Sequence, residues 1–173
     1  MARLPIIVAP DIRLKAKTVA VDQVDADVRQ LMSDMLETMH AANGIGLAAP
    51  QVGIKLRVLV MDISADEDPA NPICMANPEI IWASDALHDH EEGCLSLPEQ
   101  FAEVTRPNAV RVRYLDNDNE IREMDAEGLL AVCVQHEIDH LDGKLFVDHI
   151  SGLKRNMIIR RLQKSRRGQS ATV

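Results

Sequence analysis

The chain has 173 residues, 46% apolar and 27% charged, with a formal net charge of −8; this suits a globular domain and excludes a disordered, collagenous or coiled-coil chain. Aromatic residues make up 2%, too few for wide stacking platforms on single-stranded nucleic acid, and the acidic balance argues against a general DNA binder. The sum hides an asymmetry: residues 151–173 carry seven Lys and Arg and no acid, whereas residues 1–150 carry 12 basic and 27 acidic groups.

The first apolar run, Leu4 to Pro10, is short and broken by Pro5, so it does not read as a signal peptide, and no run approaches the ~18 residues of a membrane span. Three cysteines, Cys74, Cys94 and Cys133, suit a reducing compartment rather than a disulfide framework. A cytoplasmic protein of one domain, 1–173, is expected, with about 151–173 as a basic C-terminal helix and tail.

From about Asp25 to Ala42, Val28, Leu31, Met32, Met35, Leu36 and Met39 recur at helical period; Asp22 or Asp25 can cap the start, and Asn43-Gly44 stops the helix. Gly44 to Gln51 (GIGLAAPQ) is too rich in small residues for a helix and too apolar for an exposed loop. Lys55 to Ile63 reads as a strand, Ser64 to Asn71 as an acidic turn, and Ile80 to Trp82 as a short strand followed by a polar loop through His90. Ala109 to Leu115 alternates with period two, and Glu120 to Met124 is placed to pair with it across Asn117-Asp118-Asn119. A second helix is predicted from about Asp125, as its cap, to Asp142, with Gly143 at the left-handed position after it. Its middle is apolar on nearly all sides, which predicts a buried central helix. A third helix is predicted from about Leu153 to Lys164, docked by Leu153, Met157, Ile158 and Leu162.

The central helix carries His136-Glu137-Ile138-Asp139-His140, an H-E-x-x-H pattern. Histidines at i and i+4 share a face and can bind one metal ion, and the Glu can reach a water on that ion as general base. On a polar helix such a match arises by coincidence; on an apolar helix two buried histidines need partners. A catalytic site of this kind takes a third ligand. The residues alone leave it open, with Asp142, Asp148 and His149 downstream and Glu91, Glu92 and Cys94 upstream. His88-Asp89-His90 reads as solvent-exposed in its polar loop, Asp139 and Asp142 as solvated helix charges, and Cys74 as a buried packing residue.

Three segments occur in order: Gly44-Ile45-Gly46-Leu47-Ala48-Ala49-Pro50-Gln51, Glu92-Gly93-Cys94-Leu95-Ser96 and Gln135-His136-Glu137-Ile138-Asp139-His140-Leu141. Together they resemble the three signature motifs of the bacterial-type polypeptide deformylase family, and the resemblance runs over almost the whole chain. It implies an α+β fold of mostly antiparallel short β-strands packed around the H-E-x-x-H helix, with N-terminal and C-terminal helices. The implied activity is removal of the N-formyl group from the formyl-methionyl end of nascent polypeptides, releasing formate.

The resemblance further implies Cys94, His136 and His140 as ligands of one divalent ion, natively Fe(II), with Zn(II), Ni(II) or Co(II) able to replace it. Glu137 is then the general base, and the Gln51 side chain and the Leu95 backbone N–H donate to the formyl oxygen. Gly44, Ile45, Gly46, Glu92 and Cys133 are expected around the substrate, with Glu92 also orienting the site against Arg106. The basic C-terminal helix offers a contact to the ribosome; a monomer with no DNA or membrane partner is expected. Two other readings compete: an H-E-x-x-H endopeptidase with a downstream third ligand and no role for Cys94, and a non-catalytic metal- or peptide-binding module.

Overall fold

Asp25 opens the first helix: its carboxylate accepts from the Val28 N–H, and α1 runs over Ala26–Ala41. The computed structural model describes residues 2–64 and 68–170. After α1 the chain forms β1 (Gly46–Ala48), β2 (Val58–Met61), β3 (Ile73–Ala83), β4 (Leu87–Cys94), β5 (Leu97–Pro107), β6 (Ala109–Leu115) and β7 (Ile121–Glu127). Helices α2 (Gly128–Leu141) and α3 (Gly152–Ser170) follow. Short 3₁₀ turns cover Ile12–Lys15, Ala49–Val52 and Phe146–His149.

Five strands make one antiparallel sheet in the order β1-β2-β3-β6-β7, and β4 and β5 form a separate hairpin. Strand side chains alternate between faces, and β2 shows the consequence. Val58 and Val60 pack with Val28, Met32, Met35 and Met39 of α1. Leu59 and Met61 pack with Val134, Ile138 and Leu141 of α2. The two helices therefore cover opposite faces, and β2 is buried throughout. A third cluster joins Ile7, Leu14, Leu97, Val104, Phe146, Ile158 and Leu162, so α3 and the N-terminal segment back the hairpin.

This is the expected α+β architecture with a buried H-E-x-x-H helix, but several boundaries are corrected. The strands are not uniformly short: β3 and β5 each have 11 residues. β3 extends well beyond Ile80–Trp82, because the chain stays in the sheet through Asn77, at φ 50°, and Pro78 by way of register shifts. Of the expected polar loop through His90, only 84–86 lie outside a strand; from Leu87 onward it is β4. Asp125 does not cap α2: it lies in β7 and pairs with Arg111 at 2.7 Å, because the strand runs to Glu127 and meets the helix directly. Gly143 follows α2 at φ 75°, as expected. α3 docks through Ile158 and Leu162, whereas Leu153 and Met157 are exposed on its outer side. The centre of the acidic turn, 65–67, lies outside the described residues. No helix among the described residues is long and apolar enough to cross a membrane.

Candidate metal centre

Helix α2 brings the Nε2 atoms of His136 and His140 to 3.2 Å from each other. At the end of β4, Cys94 Sγ lies 3.2 Å from His140 Nε2. The three donor atoms all fall within 4.8 Å, and among the described residues no other Cys, His, Asp or Glu joins them. A tetrahedral ion with N and S bonds of about 2.0–2.3 Å separates its donors by roughly 3.3–3.6 Å, so this set fits a divalent ion. One thiol and two imidazoles also match the softer transition metals.

His136 is held from behind, whereas the buried His140 Nδ1 has no hydrogen-bond partner among the described residues. His136 Nδ1 donates to Glu92 Oε1 at 2.8 Å, which leaves Nε2 to face the centre. Glu92 in turn accepts from Arg106 Nε at 2.6 Å and Nη2 at 2.9 Å, both residues being buried. The Glu92–Arg106 pairing expected from sequence is thus present. Phe146 stacks on the His136 ring, with centroids 6.3 Å apart. Burial alone would raise the Glu92 carboxyl, but Arg106 and His136 outweigh it and hold it down at about 2. Burial, then His136 and Arg106, push His140 well below the usual histidine range and keep it neutral.

Glu137 sits beside this group with the opposite electrostatics. Its carboxyl is buried, Oε2 has no hydrogen-bond partner among the described residues, and burial pushes it up to about 7 against the pull of His136. A carboxyl poised near neutrality can exchange protons with little driving force in either direction. Gln51 is equally placed. Its Oε1 accepts from the Ala48 N–H at 2.8 Å, which turns Nε2 toward Cys94 Sγ at 3.5 Å and Ser96 Oγ at 3.1 Å.

A cavity of about 480 Å³ opens over these groups. Of the residues singled out from sequence, Gly44, Ile45, Gly46, Gln51, Glu92, Cys94, Leu95, Cys133, His136 and Glu137 line it. His140 does not; it is fully buried beneath. Gly44 and Gly46 owe their identity partly to the chain itself. A Cβ at Gly46 would lie 2.8 Å from Glu137 Cδ, and one at Gly44 would lie 2.6 Å from Leu95 Cδ1. The three downstream candidates for a third ligand are engaged elsewhere. Asp142 pairs with Arg57, Asp148 with Lys15, and His149 with Asp139.

Other readings are corrected. Asp139 is not a solvated helix charge: it accepts from Arg106 at 2.8 Å and from His149 at 2.6 Å. His90 is only partly exposed and lines the cavity, with Nδ1 buried and without a hydrogen-bond partner among the described residues. His88 is exposed, as expected. Sequence reasoning missed Phe101, Leu129 and Val132 at the cavity wall. For Phe101 a signal existed, since Gly93 packs against its ring so closely that a Cβ there would lie 2.6 Å from Cε1.

The polypeptide deformylase family matches residues 3–156. A peptide deformylase of Methylocella silvestris is 57% identical over 164 residues, covering 93% of this chain and 84% of that protein. One of Bartonella quintana is 48% identical, covering 96% and 95%. The crystal structure of peptide deformylase from Ehrlichia chaffeensis superposes with a TM-score of 0.93 at 40% identity, over 97% of this chain and 99% of that one. The match is thus to whole enzymes and includes the segments that build the cavity, and the chain belongs to the polypeptide deformylase family, hydrolases that remove the N-formyl group from nascent polypeptides.

Proposed function

We propose that Cys94, His136 and His140 hold the ion, Fe(II) natively with Zn(II), Ni(II) or Co(II) as substitutes, and that the cavity above them takes the formyl-methionyl end of a nascent chain. The observation that carries this reading is the convergence of three donor atoms within 4.8 Å beside a buried, unpartnered carboxylate oxygen of Glu137. Such an ion, when bound, supplies Lewis acidity toward a carbonyl oxygen and toward water.

The chain's own groups do the rest. Glu137 accepts the proton of the attacking water and delivers it to the departing amine, which leaves as the free amino terminus while the formyl carbon leaves as formate. Gln51 Nε2 and the Leu95 N–H donate to the formyl oxygen as negative charge builds there; one such donor typically contributes about 10²–10³ in turnover. Ile45 and Cys133 contact the methionine side chain, and the extended backbone from Gly44 to Gly46 pairs with the substrate backbone as an added strand. Burial, with Glu137 and Glu92 nearby, raises the Cys133 thiol well above its usual range, so it acts as neutral lining and not as a nucleophile.

In this reading the chain works as one catalytic domain and as a monomer. It acts in the cytoplasm, where nascent chains emerge, and the basic outer side of α3 meets the ribosome. One assay tests the catalytic reading. Formate release from formyl-Met-Ala-Ser is measured anaerobically for wild type, Glu137→Ala and Cys94→Ala. Activity in the wild type that is lost in both variants is expected; full activity in Cys94→Ala overturns the ligand assignment.

A further inference from the structure

His136 is braced by a longer chain of contacts than its own partner, Glu92. The buried Arg106 guanidinium places Nε and Nη2 on Glu92 and Nη1 on Asp139 Oδ2. A buried ion pair is stable only when its remaining donors and acceptors are satisfied, so the angle at which Arg106 holds Glu92 depends on where Asp139 stands. Asp139 Oδ2 takes a second hydrogen bond, from His149 Nε2 at 2.6 Å. His149 closes the 3₁₀ turn Phe146–His149, whose Phe146 and Val147 are buried, so its mount is rigid. The same turn reaches His136 by an independent path, because Phe146 stacks on that ring.

We infer that His149 is a positioning residue for the metal centre: through Asp139, Arg106 and Glu92 it fixes the orientation of the His136 ring. The inference rests on His136 being a ligand. Nothing in it requires His149 to touch substrate, and its ring N–H is the group that matters. Replacing the partner of a metal-bound histidine typically costs 10–100-fold in metal affinity; His149 acts further out, so about three- to tenfold is expected.

The test is Zn²⁺ release from the full chain to an excess of chelator, followed as a rate constant. His149→Phe keeps a planar ring but removes the donor, and should release Zn²⁺ about three- to tenfold faster than wild type. His149→Gln can place an amide N–H near the position of Nε2 and should stay within about twofold of wild type. In an Asp139→Ala background, which removes the acceptor, His149→Phe should add nothing further, and His149→Gln keeps the inference testable if His149→Phe folds poorly. Release at the wild-type rate from His149→Phe overturns the inference. So does equally fast release from His149→Gln, which would make the ring's packing, not its donor, the relevant property. A wild type that retains no stoichiometric Zn²⁺ overturns the ligand assignment first, and the inference with it.

Discussion

Gly46 and Glu137 are in direct contact: the backbone of β1 passes so close to the Glu137 side chain that a Cβ at 46 would lie 2.8 Å from Cδ and 2.9 Å from Cγ. The first motif therefore shapes the position of Glu137, the proposed general base, in the third. Gly46→Ala should push the carboxyl off its site while leaving Cys94, His136 and His140 in place. Positioned proton transfer typically contributes about 10²–10⁴, so a loss of at least tenfold in kcat is expected, with Zn²⁺ content unchanged. Formate release and metal analysis on the same preparation check it; wild-type kcat would mean that Glu137 tolerates displacement.

Glu137→Gln should separate activity from stability. The carboxyl has no partner for Oε2 among the described residues and is raised by burial to about 7 from 4.5. A folded-state pKa above the unfolded value means that the native state binds the proton more tightly. Stability linked to this group is then highest below pH 4.5 and falls as pH rises toward 7. Removing the charge should make the chelator-treated variant more stable than wild type at pH 8, by up to about 3 kcal/mol, while formate release drops about 10²–10⁴-fold. Urea unfolding at pH 5 and pH 8 reads the difference, and equal stabilities at both would refute the buried-charge argument.

Glu92 has the opposite sign. Its carboxyl is held at about 2 against a usual 4.5, since Arg106 and His136 outweigh burial. The stability it contributes is present above pH 4.5 and is lost as pH falls toward 2. Glu92→Gln leaves the buried Arg106 guanidinium with Asp139 as its remaining carboxylate, so the defect should fall below that of a fully unpaired buried charge, at about 3 kcal/mol or less. Chelator-treated wild type should exceed the variant by that order near pH 6, and the gap should close below pH 4.5. A gap that persists unchanged to pH 3 would assign the defect to packing.

The parts legible in the sequence were those whose buried face is apolar or whose motif is local. Val28, Met32, Met35 and Met39 announce α1 by period, and the apolar run before His136 announces a buried helix. The β4–β5 hairpin escaped notice for the reason that makes it functional: its inward positions carry His90, Glu92 and Arg106, so hydropathy does not alternate. Pro78 and Asn77 hid most of β3, being residues that strands usually exclude. The pairing of Arg106 with Asp139 spans 33 residues and joins a strand to a helix, a relation that no local spacing encodes. Asp139 therefore read as an ordinary exposed helix charge.

The basic segment can be tested without removing it. Ile158 and Leu162 of α3 are buried against the hairpin and the N-terminal segment, so truncation from residue 154 would strip the core as well as the charge. Arg160, Lys164 and Arg167 are exposed and lie roughly opposite Ile158 and Leu162 at about 100° per residue. Changing the three to Glu reverses the outer charge and leaves the packed side intact. Surface changes of this kind typically alter stability by about 0.5 kcal/mol or less each, so the melting temperature and formate release from a free tripeptide should hold. Association with ribosomes is electrostatic in this reading and should weaken steeply, as it should for wild type when added salt shortens the Debye length below about 8 Å. Co-sedimentation at low salt measures it. Undiminished binding of the triple variant would place the ribosome contact elsewhere on the acidic body, and would leave α3 with a purely structural task.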